Sequence, residues 1–419
     1  MIISRKLENG TQILLERVKD AETISLGFWF LHGSRDERDE ESGFSHFLEH
    51  SFFKGTKKRD TFTIAREIDR VGGFLNAFTE RELTCIHTMV PHEYFTLVVD
   101  IIYDMVFNAT LDKKEIEKEK LVVLNELKIS EDVPEEKAFD IFLKELWNDH
   151  PLCQKITGCE SSIIGINREK LYSFYKRYFV PANLVIAIAG NFNLGNAIRV
   201  LTSLLVNQSQ TRIYKKRISP VRHLSTKYIN DKFNQAHIYI GAPFPLAQQV
   251  KDYYVELILS TCFGESMSSR LFQKIREDEG LCYSIYSHRA YFQYSALWII
   301  YTNTLLKLIP KLIAALNREL RSLYNNPPLK KEVEDAKCHI KGTMVLSKQD
   351  MEVRMKRIAR QYIVMNRVLT YKESLAIIES VTQEDIAKII NSLIKCENFN
   401  LLVYGCQGVT KYKNHILKF

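Results

Sequence analysis

Apolar and polar positions alternate along the chain in two kinds of block. Short runs rich in β-branched and aromatic residues read as strands: Thr11 to Arg17, Ile24 to Leu31, Phe74 to Thr79, Leu83 to Val90 and Leu184 to Ala189. Longer amphipathic blocks predict helices over Thr61 to Val71, Pro91 to Phe107, Lys113 to Ser130, Glu135 to Trp147, Arg168 to Tyr178 and Asn196 to Leu205. After the polar stretch 207–225, the order starts again. A strand at Gln235 to Gly241 precedes a helix at Tyr253 to Phe263, then strands at Ser284 to His288 and Ala296 to Thr302. Helices follow at Lys307 to Tyr324, Leu329 to Leu346, Met351 to Met365 and Thr382 to Leu393, and a last strand at Asn398 to Tyr404. Each half runs from strands to helices to a closing strand. This predicts a duplicated α/β unit: one domain over 1–206, a linker at 207–225 and a second domain over 226–419.

The stretch Gly43 to Gly55 stands out from this pattern. It predicts a short helix carrying His46-Phe47-Leu48-Glu49-His50. Positions i and i+4 stand one above the other on a helix, so His46 and His50 aim at one point. Two converging imidazoles suit a divalent metal, most often zinc, and Glu49 beside them is placed to take a proton from water activated by it. The alternative is a helix that uses its phenylalanines as core and leaves the histidines as satisfied polar groups. Phe44, Phe47, Leu48, Phe52 and Phe53 make most of the helix apolar, so both imidazoles and the carboxylate need partners. A metal supplies them to all three. Further on, Glu119 and Glu126 lie two turns apart on one face of the 113–130 helix. Glu126 sits among Val122, Val123 and Leu127. A carboxylate in that setting needs a positive neighbour, which makes Glu126 a candidate third ligand and Glu119 its neighbour; the other reading is two solvated acids.

Composition changes the picture little. A chain of 419 residues with 46% hydrophobic and 26% charged residues is that of a soluble globular protein of two domains. The net charge of +8 is modest, and the clusters Lys57-Lys58-Arg59 and Lys215-Lys216-Arg217 come with no nucleic-acid module, so no nucleic-acid partner is expected. Met1 to Gly10 has no signal-peptide core, and no run approaches a membrane span. The eight cysteines are scattered with no Cys-x-x-Cys pair, which reads as reduced thiols in a cytoplasmic protein without a membrane partner.

These motifs together resemble the pitrilysin family of inverted-motif zinc peptidases, which includes insulinase and the mitochondrial processing peptidase, and above all its short single-unit bacterial members. The resemblance rests on several segments. They are Gly33-Ser34-Arg35 with Glu37, the His46-to-His50 motif with Phe53-Lys54-Gly55-Thr56, Asn76-Ala77-Phe78-Thr79 with Glu82, and Glu119 with Val122 to Leu127. In the second half they are Gly264, Ser268-Ser269-Arg270-Leu271-Phe272, Arg276-Glu277 and Gly280-Leu281-x-Tyr283. Ser51 and Asn125 depart from the family pattern. The resemblance implies an α+β fold of two similar domains, each a largely antiparallel sheet with helices packed on it. It implies one zinc per chain held by His46, His50 and Glu126, with Glu49 as general base and Glu119 as a carboxylate behind the ligands. Asn76 and Ala77 are then on an edge strand to which a peptide adds, and Arg276 and Tyr283 reach the substrate from a second domain. A single-unit chain further implies a homodimer closing a chamber around short unfolded peptides. Two rivals remain: a non-catalytic or partner-dependent peptide-binding member of the same family, and an S-ribosylhomocysteine-type lyase. The latter shares the helix motif, but is far shorter and uses a Cys ligand.

Overall fold

The computed structural model describes residues 1–206, 217–244, 249–395 and 398–419, so most of the expected linker 207–225, with Lys215 and Lys216, lies outside the described residues. The chain forms two compact units, Met1–Ile129 with Gln154–Arg217 and Val345–Thr370, and Ser130–Cys153 with Ile218–Met344 and Tyr371–Phe419.

The first unit is built on a six-stranded sheet of β1 (Ile2–Lys6), β2 (Gln12–Arg17), β3 (Thr23–Phe30), β4 (Phe74–Thr79), β5 (Thr84–Pro91) and β6 (Leu184–Gly190). Its order is β1-β2-β6-β3-β5-β4; only β2 and β6 run parallel. The second unit holds β7 (Thr226–Asn230), β8 (Ala236–Phe244), β9 (Ile285–Phe292), β10 (Ser295–Thr304) and β11 (Asn400–Gly405). Their order is β7-β11-β8-β10-β9, and only β7 and β11 run parallel. Strands β2 to β6 therefore match β7 to β11 in chain order, spatial order and direction. The architecture is a duplicated α+β unit with a largely antiparallel sheet in each half.

Helices cover both faces of each sheet, which is why the central strands read as continuous apolar runs rather than alternating ones. In the first unit, the helices Phe44–Phe52, Phe95–Phe107 and Arg168–Tyr178 close one face over Ile13, Leu15, Leu26, Phe28 and Ile186. The other face is closed by Met351–Met365, whose Met355, Ile358 and Ala359 pack on Leu14, Trp29, Cys85, Val185 and Ala187. In the second unit the matching place is taken by Pro134–Trp147, with Phe142, Leu143 and Leu146 against Tyr239, Leu297, Ile299 and Tyr301. Each sheet is thus covered by a helix from the other half of the sequence. The expected division at 207–225 falls between the two matching sets of strands, whereas the compact units follow the packing and take in these exchanged segments. Close approach demands a glycine at matching places: a Cβ on Gly27 of β3 would sit 2.7 Å from Met355 Sδ, and one on Gly241 of β8 would sit 2.8 Å from Phe142 Cζ.

The Met351–Met365 helix is also pinned by charge. Buried Glu16 of β2 accepts from Arg354 Nη1 at 2.7 Å and from Arg357 Nη2 at 3.0 Å. Removing the carboxylate takes the Glu16 charge away from two mostly buried guanidinium groups. Glu16→Ala is therefore expected to lower stability by about 3–5 kcal/mol, read as a fall in the urea midpoint with an unchanged slope.

Most predicted elements are present within a few residues. The expected helix from Pro91 is corrected: Pro91 closes β5, a single 3₁₀ turn spans His92–Tyr94, and the helix starts at Phe95. The helix predicted over Tyr253 to Phe263 ends at Ser260, and a π-helical turn runs from Thr261 to Glu265.

Candidate metal centre

The motif helix, Phe44–Phe52, is nine residues long, too short to be stable by propensity alone. It is fixed by packing of Phe44, Phe47, Leu48 and Phe52, all at most 1% exposed, and by its N-terminus. Gly43 caps it with φ +89° and offers no side chain. The fully buried Glu37 does so instead: Oε2 accepts the Gly43 N–H and Oε1 the Ser45 N–H, each at 2.7 Å.

His46 and His50 lie one turn apart on the helix, their rings edge-to-face with centroids 4.7 Å apart. The Lys113–Asp132 helix lies across them. Glu126 Oε2 is 3.2 Å from His50 Nε2 and 3.7 Å from His46 Nε2. One ligand atom from each of His46, His50 and Glu126 falls within 4.8 Å of the other two, the spacing of a metal-binding triad. On the Glu126 helix, Val123 and Leu127 are buried while Val122 is 45% exposed, so the carboxylate stands at the border of the core. Burial and the neighbouring His50 push His46 down to about 4, which keeps it neutral as a ligand must be.

Behind the triad, Glu119 Oε1 lies 2.8 Å from His50 Nδ1, and its Oε2 is 2.7 Å from Lys54 Nζ. An imidazole whose second nitrogen meets a carboxylate is the usual arrangement of a metal-bound histidine. Burial alone would lower His50, but Glu119, Glu126 and Glu49 outweigh it and hold it above its ordinary value. Burial would raise Glu119, and His50 with Lys54 pull it below the usual carboxylate range. Glu49 is raised by burial, against a hydrogen bond from Thr79 Oγ1 to its Oε2 at 2.6 Å.

Two nitrogens, one carboxylate oxygen, an oriented imidazole and an adjacent carboxylate make a donor set that fits zinc. The structure thus brings His46, Glu49, His50, Glu119 and Glu126 together. Asn76 and Ala77 lie in β4, an edge of the first sheet, where Asn76 Oδ1 accepts the Ala77 N–H at 2.8 Å. Arg276 and Tyr283 belong to the second unit and lie side by side there: the guanidinium sits 5.7 Å from the Tyr283 ring and 4.4 Å from that of Phe272. Tyr283 is 75% exposed. Lys54 and Thr79 join the site without having been expected there, although both lie in segments that carry the family resemblance. A signal for Thr79 was present: two residues from Ala77, it shares that residue's side of the strand.

Fold and site together define the class, a metallopeptidase with a His-His-Glu centre in the first of two duplicated α+β domains. The family model described as insulinase, peptidase family M16, matches residues 12–160, and the M16 inactive-domain model matches residues 165–338. The "uncharacterized zinc protease YmxG" of Bacillus subtilis is 32% identical over 411 residues, covering 97% of this chain and 99% of that protein. A Rickettsia bellii "uncharacterized zinc protease" is 29% identical over 389 residues, covering 93% and 94%. In fold, the chain is similar to the crystal structure of a protease from Helicobacter pylori, with a TM-score of 0.88, 18% identity and coverage of 97% and 99%. The chain belongs to the insulinase family, peptidase family M16.

Proposed function

We propose that this chain is a zinc-dependent endopeptidase that cuts short unfolded peptides, with one zinc held by His46, His50 and Glu126. The convergence of the three ligand atoms beside Glu49 carries this reading. A zinc ion bound there supplies Lewis-acid polarisation of the scissile carbonyl and a more acidic water. Glu49 Oε2 is engaged by Thr79, so Oε1 is the atom offered to water; it takes the proton and later passes it to the leaving nitrogen. Burial raises Glu49, which suits a carboxylate that must gain and release a proton. The peptide adds to β4 along Asn76 and Ala77.

Arg276 and Tyr283 hold the peptide, and Tyr283 supports the developing oxyanion. The motif resemblance to the short bacterial members, with 99% of the Bacillus relative's length matched, supports reading the chain in the manner of a single-unit member. Two such chains form a homodimer enclosing a chamber, and Arg276 and Tyr283 of one act on the centre of the other. Among the described residues no helix is long and apolar enough to cross a membrane. Cys85, Cys262 and Cys406 are buried free thiols, which supports a reducing, cytoplasmic setting for the enzyme.

The test is a pool of unstructured peptides incubated with zinc-loaded protein and read by mass spectrometry. Cleavage gives the activity and the site preference together. A zinc-loaded dimer that cuts nothing overturns the peptidase reading in favour of a peptide-binding subunit. Separately, Glu119→Gln is expected to weaken zinc affinity about 10–100-fold through the loss of His50's oriented partner, measured by competition with a chelating dye.

A further inference from the structure

The base of the proposed reaction is held by the same strand that presents the peptide. Strand β4 is an edge strand, paired on one side with β5 from Phe74↔Met89 to Thr79↔Thr84. Its residues alternate: Leu75 and Ala77 pack toward the core under the motif helix, and Phe78 packs toward the opposite core. Thr79 therefore points to the motif-helix side by the two-residue period of a strand. There its Oγ1 donates to Glu49 Oε2 at 2.6 Å. A hydroxyl has a single proton to give, so Thr79 spends it on this carboxylate. Threonine is branched at Cβ and stiff at χ1, so the direction of that hydroxyl is set by the strand backbone. Glutamate is the opposite, a long chain that loses much rotamer freedom when it is fixed.

We propose that Thr79 is a positioning residue: it clamps one oxygen of Glu49 and thereby ties the orientation of the general base to the strand on which the peptide is laid. The inference rests on the peptidase reading above for its kinetic part, but not for its structural part. A peptide added to β4 is then registered against the base through one strand rather than through two separately mobile elements. Misorientation of a catalytic group by a fraction of its length is costly to rate and cheap to binding.

Thr79→Val keeps the branched shape and removes only the O–H; Thr79→Ser restores it. The expected result for Thr79→Val is kcat lowered about tenfold or more with KM within about twofold and zinc content unchanged, and Thr79→Ser recovering most of kcat. A purely structural role would not produce that split or that rescue. In crystals, Glu49 should leave its present position in Thr79→Val and keep it in Thr79→Ser. Unchanged kcat, a rise in KM alone, loss of zinc, or an unmoved Glu49 in the valine variant each overturns the proposal. If the wild type cleaves no peptide, the peptidase reading fails, and the crystal comparison alone decides whether Thr79 holds Glu49.

Discussion

Glu49→Gln is expected to bind zinc as the wild type does and to lose most of its turnover. Glutamine has nearly the shape of glutamate, and its amide oxygen can accept the Thr79 hydroxyl that now bonds Oε2. It has no lone pair that accepts a proton near neutral pH, so the transfer from water to the leaving nitrogen has no carrier. General acid–base participation of this kind contributes about 10²–10⁴-fold, and kcat should fall by that much or more. The ligand atoms of His46, His50 and Glu126 are untouched, so metal content should remain that of the wild type. His50→Ala should differ in kind: it removes one of three ligands and the Glu119 partner at once, and metal should be lost with activity. Measuring zinc per chain beside kcat on one peptide separates the cases. Retained turnover in the glutamine variant would remove Glu49 from its role, whereas a zinc-loaded wild type with no turnover would favour the non-catalytic reading.

The metal triad was readable because it depends on local periodicity. His46 and His50 are one turn apart on one helix, and Glu119 and Glu126 are two turns apart on another, so each pair is aligned by helix geometry before any tertiary contact. Meeting of the two helices is tertiary; in the sequence Glu126 is a candidate third ligand only through its apolar setting, and the family resemblance implies the full set. Thr79 and Lys54 act across elements, at 2.6 Å to Glu49 and 2.7 Å to Glu119; the strand period puts Thr79 on Ala77's side, but no spacing names the partner of either residue. The strands that escaped notice are Ile2–Lys6 and Thr226–Asn230. Both lie at sheet edges with no residue fully buried, so neither shows the apolar run or clean alternation by which a strand is recognised. The helix Tyr371–Ser380 escaped for a related reason, with only Ser374 and Ile378 buried along it. The exchange of helices was hidden more deeply. The apolar face of Met351–Met365 is visible in sequence, but periodicity says only that a face is buried, not against which sheet.

That exchange leads to the second large effect. Residues 1–206 and 226–419, made as separate proteins, are each expected to fail to fold, and to fold when made together. The first fragment keeps β1 to β6 but loses Met351–Met365, the cover over Leu14, Trp29, Cys85, Val185, Ala187 and Ala189. The second keeps β7 to β11 but loses Pro134–Trp147, the cover over Tyr239, Leu297, Ile299, Tyr301 and Leu402. Burying one large apolar side chain is worth about 1.5–3 kcal/mol, so each exposed face forfeits on the order of 10 kcal/mol. That equals the whole net stability of a typical domain, about 5–15 kcal/mol. The first fragment also keeps Glu16 without Arg354 and Arg357, a buried carboxylate stripped of its counter-charges. Alone, each fragment should show dye-binding apolar surface and no cooperative unfolding transition. Co-expression should return a tight one-to-one complex with one zinc and a single transition, because each fragment then brings the helix the other lacks. A stable, cooperative 1–206 fragment on its own would mean that the sheet tolerates an open face and that the exchanged helix is not required for folding.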